Sequence, residues 1–325
     1  MEEKKKVIAV VGPTATGKTD LGIFLAKAFD GEILSCDSMQ IYRGLPIGTA
    51  QPTPQERSEV PHHLIDFLPI EEDFSVSDYV KEAGNLIEEL SEQRKLPVLV
   101  GGTGLYSRAL LRGFPFEEHC REDGLRETLL KRAEEEGPMA LYEELQKLDP
   151  KAASEIHPNN VKRVARALEY CTLTGERFSD QAMRSKEIEQ PYRSLELLLL
   201  YRDRGLLYRR IDERVDRMLE QGLLDEARRL YDFCTLSKRR PTAAQAIGYK
   251  EFFPYFRGEL SLSESVEQIK RESRRYAKRQ ITWFSREPEA VPLFLDEYQT
   301  KDGLFQRAKE LCKDFLAGEE MQHEQ

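Results

Sequence analysis

One loop near the N-terminus constrains the fold of this chain more than any other feature. Residues 12–19 read GPTATGKT and match the pattern G-x-x-x-x-G-K-[ST] in full. The apolar run from Lys6 to Val11 predicts a buried strand, and Lys18 to Phe29 has the apolar spacing of a helix. A loop between a strand and a helix directs several backbone N–H groups at one anion. The sequence therefore predicts a phosphate site built on the edge of a sheet.

The residues of this loop have separate expected roles. Lys18 supplies a mobile positive charge for the terminal phosphates, and the Thr19 hydroxyl is the expected protein ligand of Mg²⁺. The motif indicates a polyphosphate or pyrophosphate with Mg²⁺ and does not by itself indicate ATP. A glycine-rich turn without a ligand is the alternative, which the flanking strand and helix disfavour. The predicted pyrophosphate-binding residues are Gly12, Pro13, Thr14, Ala15, Thr16, Gly17, Lys18 and Thr19.

Further apolar runs extend the predicted sheet. Continuous apolar strands are typical of a parallel sheet covered on both faces, and they occur at residues 32–36, 96–100 and 195–201. Helical patterns separate them, which predicts an α/β fold: a phosphate-loop parallel-sheet core with a helical insertion and a helical C-terminal region. The expected divisions are residues 1–113 for the first part of the core, 114–192 for the helical insertion and 193–325 for the completed core and the C-terminal region.

Composition excludes several classes of protein. The 325 residues are 40% hydrophobic and 33% charged, which is typical of a soluble globular protein. No apolar run approaches the ~18 residues of a membrane helix, and the N-terminal apolar stretch is too short for a secretory signal. We expect a monomeric protein in a reducing cytoplasm. The five cysteines lack metal-binding spacing and argue against a disulfide framework; they are Cys36, Cys120, Cys171, Cys234 and Cys312.

Two polar residues follow predicted strands and should face the loop. Asp37 directly follows residues 32–36, and Thr103 follows the run 96–100. Ligands of open α/β sheets bind outside the carboxyl ends of the strands. Position alone leaves Asp37 as either a magnesium ligand or a general base. Thr103 lies in a Gly-Gly-Thr-Gly stretch, which is more often only a turn.

Several motifs together resemble the tRNA dimethylallyltransferase (tRNA isopentenyltransferase) family, in its bacterial form without a C-terminal zinc finger. The similarity spans nearly the whole chain and is carried, besides the phosphate loop, by DSMQIYRGLPIGTAQPT (37–53), PHHLID (61–66), GGTGLY (101–106), VKRVARALE (161–169), ERVDRMLEQGLLDEA (213–227), QAIGYKE (245–251) and RRYAKRQITWF (274–284). The resemblance implies transfer of a dimethylallyl group from dimethylallyl pyrophosphate to N6 of adenine 37 in the tRNA anticodon loop. Adenylate prenyltransferases share the N-terminal motifs and remain an alternative. A phosphate-loop kinase is a more distant one.

The resemblance also implies residue roles. Asp37 would be the base that accepts the N6 proton, and Thr103 would donate to the bridging oxygen of the leaving pyrophosphate. Arg214 would reach the same pyrophosphate, completing the expected catalytic set. The implied tRNA-binding residues beside the target base are Asp37, Ser38, Met39, Gln40 and Thr103.

Basic segments indicate where RNA would bind. Residues 270–286 carry seven basic side chains against the single acid Glu272, within a chain of net charge −9. Such an excess fits phosphate contacts, although a charged helix face is often only solvated. Ile269, Tyr276 and Trp283 recur every seven residues, which favours core packing. The expected tRNA contacts are Arg274, Arg275 and Lys278, with Arg163 and Arg166 on the insertion, where the alternative is a plain helix surface.

Overall fold

A six-stranded parallel sheet forms the centre of the fold. The computed structural model describes residues 4–113, 124–180 and 189–318. The strand order is β3-β2-β4-β1-β5-β6, and each neighbouring pair is parallel. The strands are β1 (Lys6–Val11), β2 (Gly31–Ser35), β3 (His62–His63), β4 (Leu96–Gly101), β5 (Arg193–Leu200) and β6 (Val291–Phe294). This confirms the predicted α/β class.

Helices account for most of the remaining described chain. Their bounds are α1 (Lys18–Ala28), α2 (Pro54–Glu59), α3 (Val76–Glu92), α4 (Gly104–Arg112), α5 (Leu125–Glu136), α6 (Pro138–Leu148), α7 (Pro150–Glu155), α8 (Val161–Thr174), α9 (Arg204–Glu220), α10 (Leu223–Ser237), α11 (Phe253–Phe256), α12 (Leu262–Phe284) and α13 (Lys301–Ala317). Short 3₁₀ turns cover Thr242–Gln245, Lys250–Phe252 and Leu295–Glu297. No described helix is long and apolar enough to cross a membrane.

The two outermost strands are not among those that the sequence predicts. Within the helix-dominated C-terminal region, Val291–Phe294 pairs with β5 and closes one end of the sheet. At the other end, His62 and His63 pair with Ile33 and Leu34. A strand of two to four residues is too short to show a hydrophobic period, so pairing with a neighbour rather than local sequence defines it.

Separate apolar clusters cover the two faces of the sheet. On one face, Ile8, Val10 and Val98 pack with Leu21 of α1 and Leu311 of α13. On the other, Val7, Ala9 and Leu99 pack with residues of α3 and α4 such as Tyr79 and Leu110. Alternate residues of β1 thus enter opposite clusters, which explains why the strand is apolar at every position after Lys6.

The chain divides into two compact units. One contains residues 1–111 with 191–325, and the other contains 112–190. The sequence predicts these borders at 113/114 and 192/193. Within the second unit the described residues 124–180 form helices and no strand, and they have a core of their own that includes Leu141, Leu145, Val164 and Leu168. Residues 114–123, with Cys120, lie outside the described part.

Candidate active site

The phosphate loop has a backbone that few sequences could adopt. Gly12 has φ +140°, and a Cβ at this position would lie 2.5 Å from the Leu199 carbonyl oxygen. Only glycine therefore satisfies both the conformation and the close approach to β5. The Thr16 hydroxyl donates to the Pro13 carbonyl at 2.9 Å and closes the loop. Helix α1 then begins at Lys18, so its unpaired N–H groups face the space beyond the sheet.

Two cations lie next to this loop. The Lys18 ammonium donates to the Pro13 carbonyl at 2.7 Å. Burial, with the nearby charge of Arg214, lowers the pKa of Lys18 to about 7, although Asp37 acts in the opposite direction. Burial likewise lowers the pKa of Arg214, while Asp37 raises it. Both cations are therefore poorly solvated, and they lie close enough to repel each other, an arrangement that favours binding of an anion.

Asp37 begins the segment that follows β2. Its Oδ1 accepts a hydrogen bond from the Met39 N–H at 2.9 Å, which fixes the carboxylate in an Asx-type turn. The charge of Asp37 opposes the lowering of the pKa of Lys18 and Arg214 and, after burial, helps to raise the pKa of Tyr276. The structure thus brings the predicted carboxylate and both predicted cations around one space.

Thr103 is tied to the same segment. Its N–H donates to the Cys36 carbonyl at 3.1 Å, and its hydroxyl accepts from the Ser38 N–H at 3.0 Å. The Thr103 side chain also acts to lower the pKa of Tyr276, so the two side chains are neighbours. The turn after β4 is therefore joined to the turn after β2, as expected for two adjacent parallel strands.

A cavity of about 370 Å³ lies at these groups; Lys18, Thr19, Asp37 and Arg214 line it, whereas Thr103 does not. Apolar side chains also line it and come mainly from α9 and from the segment after the first 3₁₀ turn; they include Ile211, Val215, Met218 and Ile247. A lining that combines charged and apolar side chains suits a ligand with a charged end and a hydrocarbon end.

Helix α12 contributes site residues that sequence reasoning did not assign. Tyr276, Arg279 and Gln280 all line the cavity. The predicted core stripe is thus wrong in part: Ile269 is buried, but Tyr276 faces the site and Trp283 is 36% exposed. The regular seven-residue spacing correctly placed the three on one side of a helix but could not show what that side faces. Sequence reasoning also missed Arg210 of α9, whose Nε donates to the Ala15 carbonyl at 3.2 Å.

Ser38, Met39 and Gln40 line the cavity beside Asp37. The Gln40 amide is already engaged: its Nε2 donates to the Ala50 carbonyl at 2.9 Å, and its Oε1 accepts from the Ser35 hydroxyl at 2.9 Å. Gln40 therefore holds the 49–50 backbone in place. A base contact through its side chain remains a prediction.

The predicted RNA-binding arginines of α12 have internal partners. Arg274 pairs with Asp212 of α9, and Arg275 pairs with Glu272 at 2.7 Å. Lys278 is exposed, and no ion pair to it occurs among the described residues. In the other unit, Arg163 and Arg166 are both exposed on α8. Of the three predicted α12 cations, Lys278 is therefore the one with the fewest competing contacts for RNA.

The two adjacent histidines form β3 at the edge of the sheet. His62 Nδ1 bonds to the Val60 carbonyl at 2.7 Å, and His63 Nε2 bonds to Glu32 at 2.7 Å. They therefore point to different partners. No group of three or more His, Cys, Asp or Glu side chains suited to hold a metal occurs in the part of the chain that the structure describes.

Comparison with known families decides the assignment. The family model for IPP transferase matches residues 40–287. The chain belongs to the IPP transferase family. It is 48% identical to the tRNA dimethylallyltransferase of Halalkalibacterium halodurans over 281 residues, covering 86% of this chain and 88% of that protein. The tRNA dimethylallyltransferase of Bacillus subtilis gives the same identity and coverage.

Solved structures of the IPP transferase family agree. The full-length tRNA isopentenylpyrophosphate transferase of Bacillus halodurans superimposes with a TM-score of 0.73 at 42% identity, covering 97% of this chain and 98% of that one. A eukaryotic dimethylallyltransferase whose structures describe its action on tRNA gives a TM-score of 0.84 at 33% identity, covering 98% of this chain and 81% of that one. The family resemblance found in the motifs is confirmed, and with it the assignment to transferase enzymes.

Proposed function

We propose that the protein transfers the dimethylallyl group of dimethylallyl pyrophosphate to N6 of the adenine at position 37 of a tRNA anticodon loop. The observation that carries the proposal is the cavity itself. Its lining contains the charged side chains Lys18, Arg214 and Asp37 together with apolar side chains such as Val215 and Met218. The two cations suit the pyrophosphate, and the apolar side chains suit the five-carbon chain.

The reaction explains why the cavity needs charged side chains. The exocyclic amine of adenine is a poor nucleophile, because its lone pair is delocalised into the ring. The allylic C1–O bond of the donor therefore breaks early, and its electron pair passes to the bridging oxygen of the leaving pyrophosphate. The N6–C1 bond then forms. Lys18, Arg214 and the N-terminus of α1 stabilise the charge that develops on the leaving group.

Asp37 is proposed to accept the proton that N6 releases. Its carboxylate lies on the cavity wall with Lys18, and its turn is anchored by the Met39 N–H. A positioned base of this kind typically contributes 10²–10⁴-fold. Thr103, joined to the Asp37 segment through Ser38, is proposed to donate its hydroxyl to the bridging oxygen of the leaving group.

Thr19 fits the predicted Mg²⁺ when a diphosphate supplies further ligands. It lines the cavity and offers one hydroxyl, while the Asp37 carboxylate is kept for the base. Mg²⁺ beside phosphates usually keeps several waters and takes one or two protein ligands. Thr19 would hold the ion, and when bound it would supply charge neutralisation for the departing pyrophosphate.

The RNA substrate is supported by α12. Lys278 and Arg279 are exposed on a helix that also lines the cavity through Tyr276 and Gln280. A free nucleotide would not require such a surface. An anticodon loop offers unpaired bases, so the target adenine can leave its stack at low cost. A monomeric state and a cytoplasmic location remain part of this proposal.

The direct test uses labelled dimethylallyl pyrophosphate with Mg²⁺ and either unmodified tRNA or AMP. We expect label on the tRNA and none on AMP, with equimolar pyrophosphate released. Label on AMP alone would identify an adenylate prenyltransferase. Transfer of phosphate from labelled ATP, without any prenyl transfer, would identify a kinase. Mapping the labelled nucleotide by digestion then checks the proposed position.

A further inference from the structure

The side chain of Gln280 lies between two of the loops that form the active site. It is 5% exposed, although it belongs to a helix whose neighbouring residues reach solvent. Its Oε1 accepts a hydrogen bond from the Thr14 N–H at 3.0 Å. Its Nε2 donates to the Gly102 carbonyl at 2.9 Å. One amide thus joins the phosphate loop to the turn after β4.

The fit around this amide is close. A Cβ added at Gly102 would lie 2.3 Å from Gln280 Nε2, so a larger residue there would displace the bridge. The contact also needs both functions of an amide, since it accepts from an N–H and donates to a carbonyl. A carboxylate would oppose the Gly102 carbonyl, and an aliphatic side chain would leave both backbone groups buried without partners.

The bridge determines how the phosphate loop is oriented. Because the Thr14 N–H donates to Gln280, Gln280 competes for this donor with an anion bound at the start of α1. Arg210 holds the next residue of the loop through the Ala15 carbonyl. Two helices that follow β5 in the chain therefore fix consecutive residues of a loop that follows β1.

We propose that Gln280 is a positioning residue for the pyrophosphate site. It sets the distance between the phosphate loop and the Gly102–Thr103 turn, so that a single leaving group meets the donors of both. That the bound anion is a leaving pyrophosphate rests on the proposed function. That anion binding depends on the Gln280 amide rests on geometry alone.

The test compares Gln280→Glu with Gln280→Met. The methionine keeps the approximate volume of the glutamine side chain but lacks its amide. Affinity for inorganic pyrophosphate with Mg²⁺ is measured by calorimetry at pH 6 and pH 8. At pH 8 we expect both variants to bind about tenfold more weakly, since buried backbone groups lose their partners. Burial raises the pKa of an introduced carboxyl group, so at pH 6 we expect part of it to be protonated and able to donate to Gly102. The pyrophosphate affinity of Gln280→Glu, relative to wild type, should then rise towards one. The relative affinity of Gln280→Met should be the same at both pH values.

Gln51→Glu is the matched control. Gln51 is also a buried glutamine, 8% exposed, and its Nε2 donates to the carbonyls of Gln40 and Tyr42, both at 2.9 Å. Neither of these partners belongs to the phosphate loop. We expect its pyrophosphate affinity, relative to wild type, to be the same at both pH values. Thermal unfolding of all three variants separates loss of folding from loss of binding.

The tRNA affinity of the Gln280 variants should remain within about twofold of wild type, since Gln280 is buried and faces the loop rather than the basic surface. Wild-type pyrophosphate affinity in both Gln280 variants, with the fold intact, would overturn the proposal. Pyrophosphate binding needs no prenyl transfer. The result is therefore independent of whether the labelled-donor experiment supports the proposed function.

Discussion

Lys18 makes the binding of pyrophosphate sensitive to pH in a way the structure quantifies. In the free protein its pKa is lowered to about 7, first by burial and then by Arg214. A bound diphosphate adds negative charge next to the ammonium, so the pKa should return towards the ordinary value of 10.5. Binding above pH 7 must therefore take up a proton.

The size of the effect follows from this pKa. About half of the free protein carries the charged lysine at pH 7, but only about one hundredth does so at pH 9. Affinity for pyrophosphate should therefore fall by about 50-fold between these values through Lys18 alone. At pH 8, binding should take up about 0.9 proton at this group, compared with about 0.5 at pH 7.

Calorimetry in buffers of different ionisation enthalpy measures the proton uptake directly. Lys18→Met is the control, because it has a similar shape and no proton to gain. Subtracting its pH dependence removes the titration of pyrophosphate itself. Equal proton uptake by wild type and Lys18→Met at pH 8 would show that Lys18 is already charged in the free protein and would refute the reasoning.

The lowered pKa of Lys18 also makes stability depend on pH. Pyrophosphate affinity should fall as pH rises, whereas the contribution of Lys18 to folding stability should increase. Folding lowers the pKa of this lysine, so the unfolded chain binds more protons between pH 7 and 10.5. The charged lysine opposes folding fully below pH 7, and this opposition fades as pH rises towards 10.5. Denaturant unfolding of wild type and Lys18→Met over this window should show the difference.

Three further predictions concern the proposed base, the RNA surface and a buried carboxylate. Asp37→Asn should slow single-turnover transfer by about 10²–10⁴-fold with normal substrate affinities; rescue by raised Mg²⁺ would instead make Asp37 a metal ligand. Replacing Arg275 and Lys278 with alanine should flatten the slope of log K for tRNA against log salt by about 0.7–0.9 for each phosphate that is no longer neutralised. Adding Arg274→Ala should change the slope less, because Asp212 competes for that guanidinium; an unchanged slope would place the RNA elsewhere. Glu226→Gln should lower the free energy of unfolding in urea by about 1–2 kcal/mol, since the buried carboxylate binds the 47–48 backbone and the Tyr249 hydroxyl; unchanged stability would contradict this.

The part of the site that sequence predicts is the part coded by contiguous residues. The phosphate loop is recognisable because one short segment must contain the strand end, the glycines and the helix start. Asp37 and Thr103 are recognisable because parallel strands bring their carboxyl ends to one edge. Neither inference requires knowledge of how distant segments pack.

The rest of the site depends on long-range packing. Gln280 lies 266 positions from its partner Thr14, and nothing in the helix pattern distinguishes it from other polar residues of α12. Only the family resemblance points to Arg214, since one arginine in a charged helix carries no local signal. Charge alone predicts RNA contacts for Arg274 and Arg275. Glu272 lies three positions before Arg275 and is visible in the sequence, but sequence could not show that Asp212 of α9 pairs with Arg274.

The buried cations of the site connect its energetics with the proposed reaction. Arg214 lowers the pKa of Lys18, which means that the two charges are held together at a cost to the free protein. A diphosphate relieves that repulsion on binding. In a loose displacement the leaving pyrophosphate carries more negative charge at the transition state than in the donor, so relief is greatest there. A site whose cations repel each other before an anion binds would therefore stabilise the departing pyrophosphate more than it stabilises the intact bound donor. The phosphate loop would contribute to prenyl transfer without acting on a phosphoryl group.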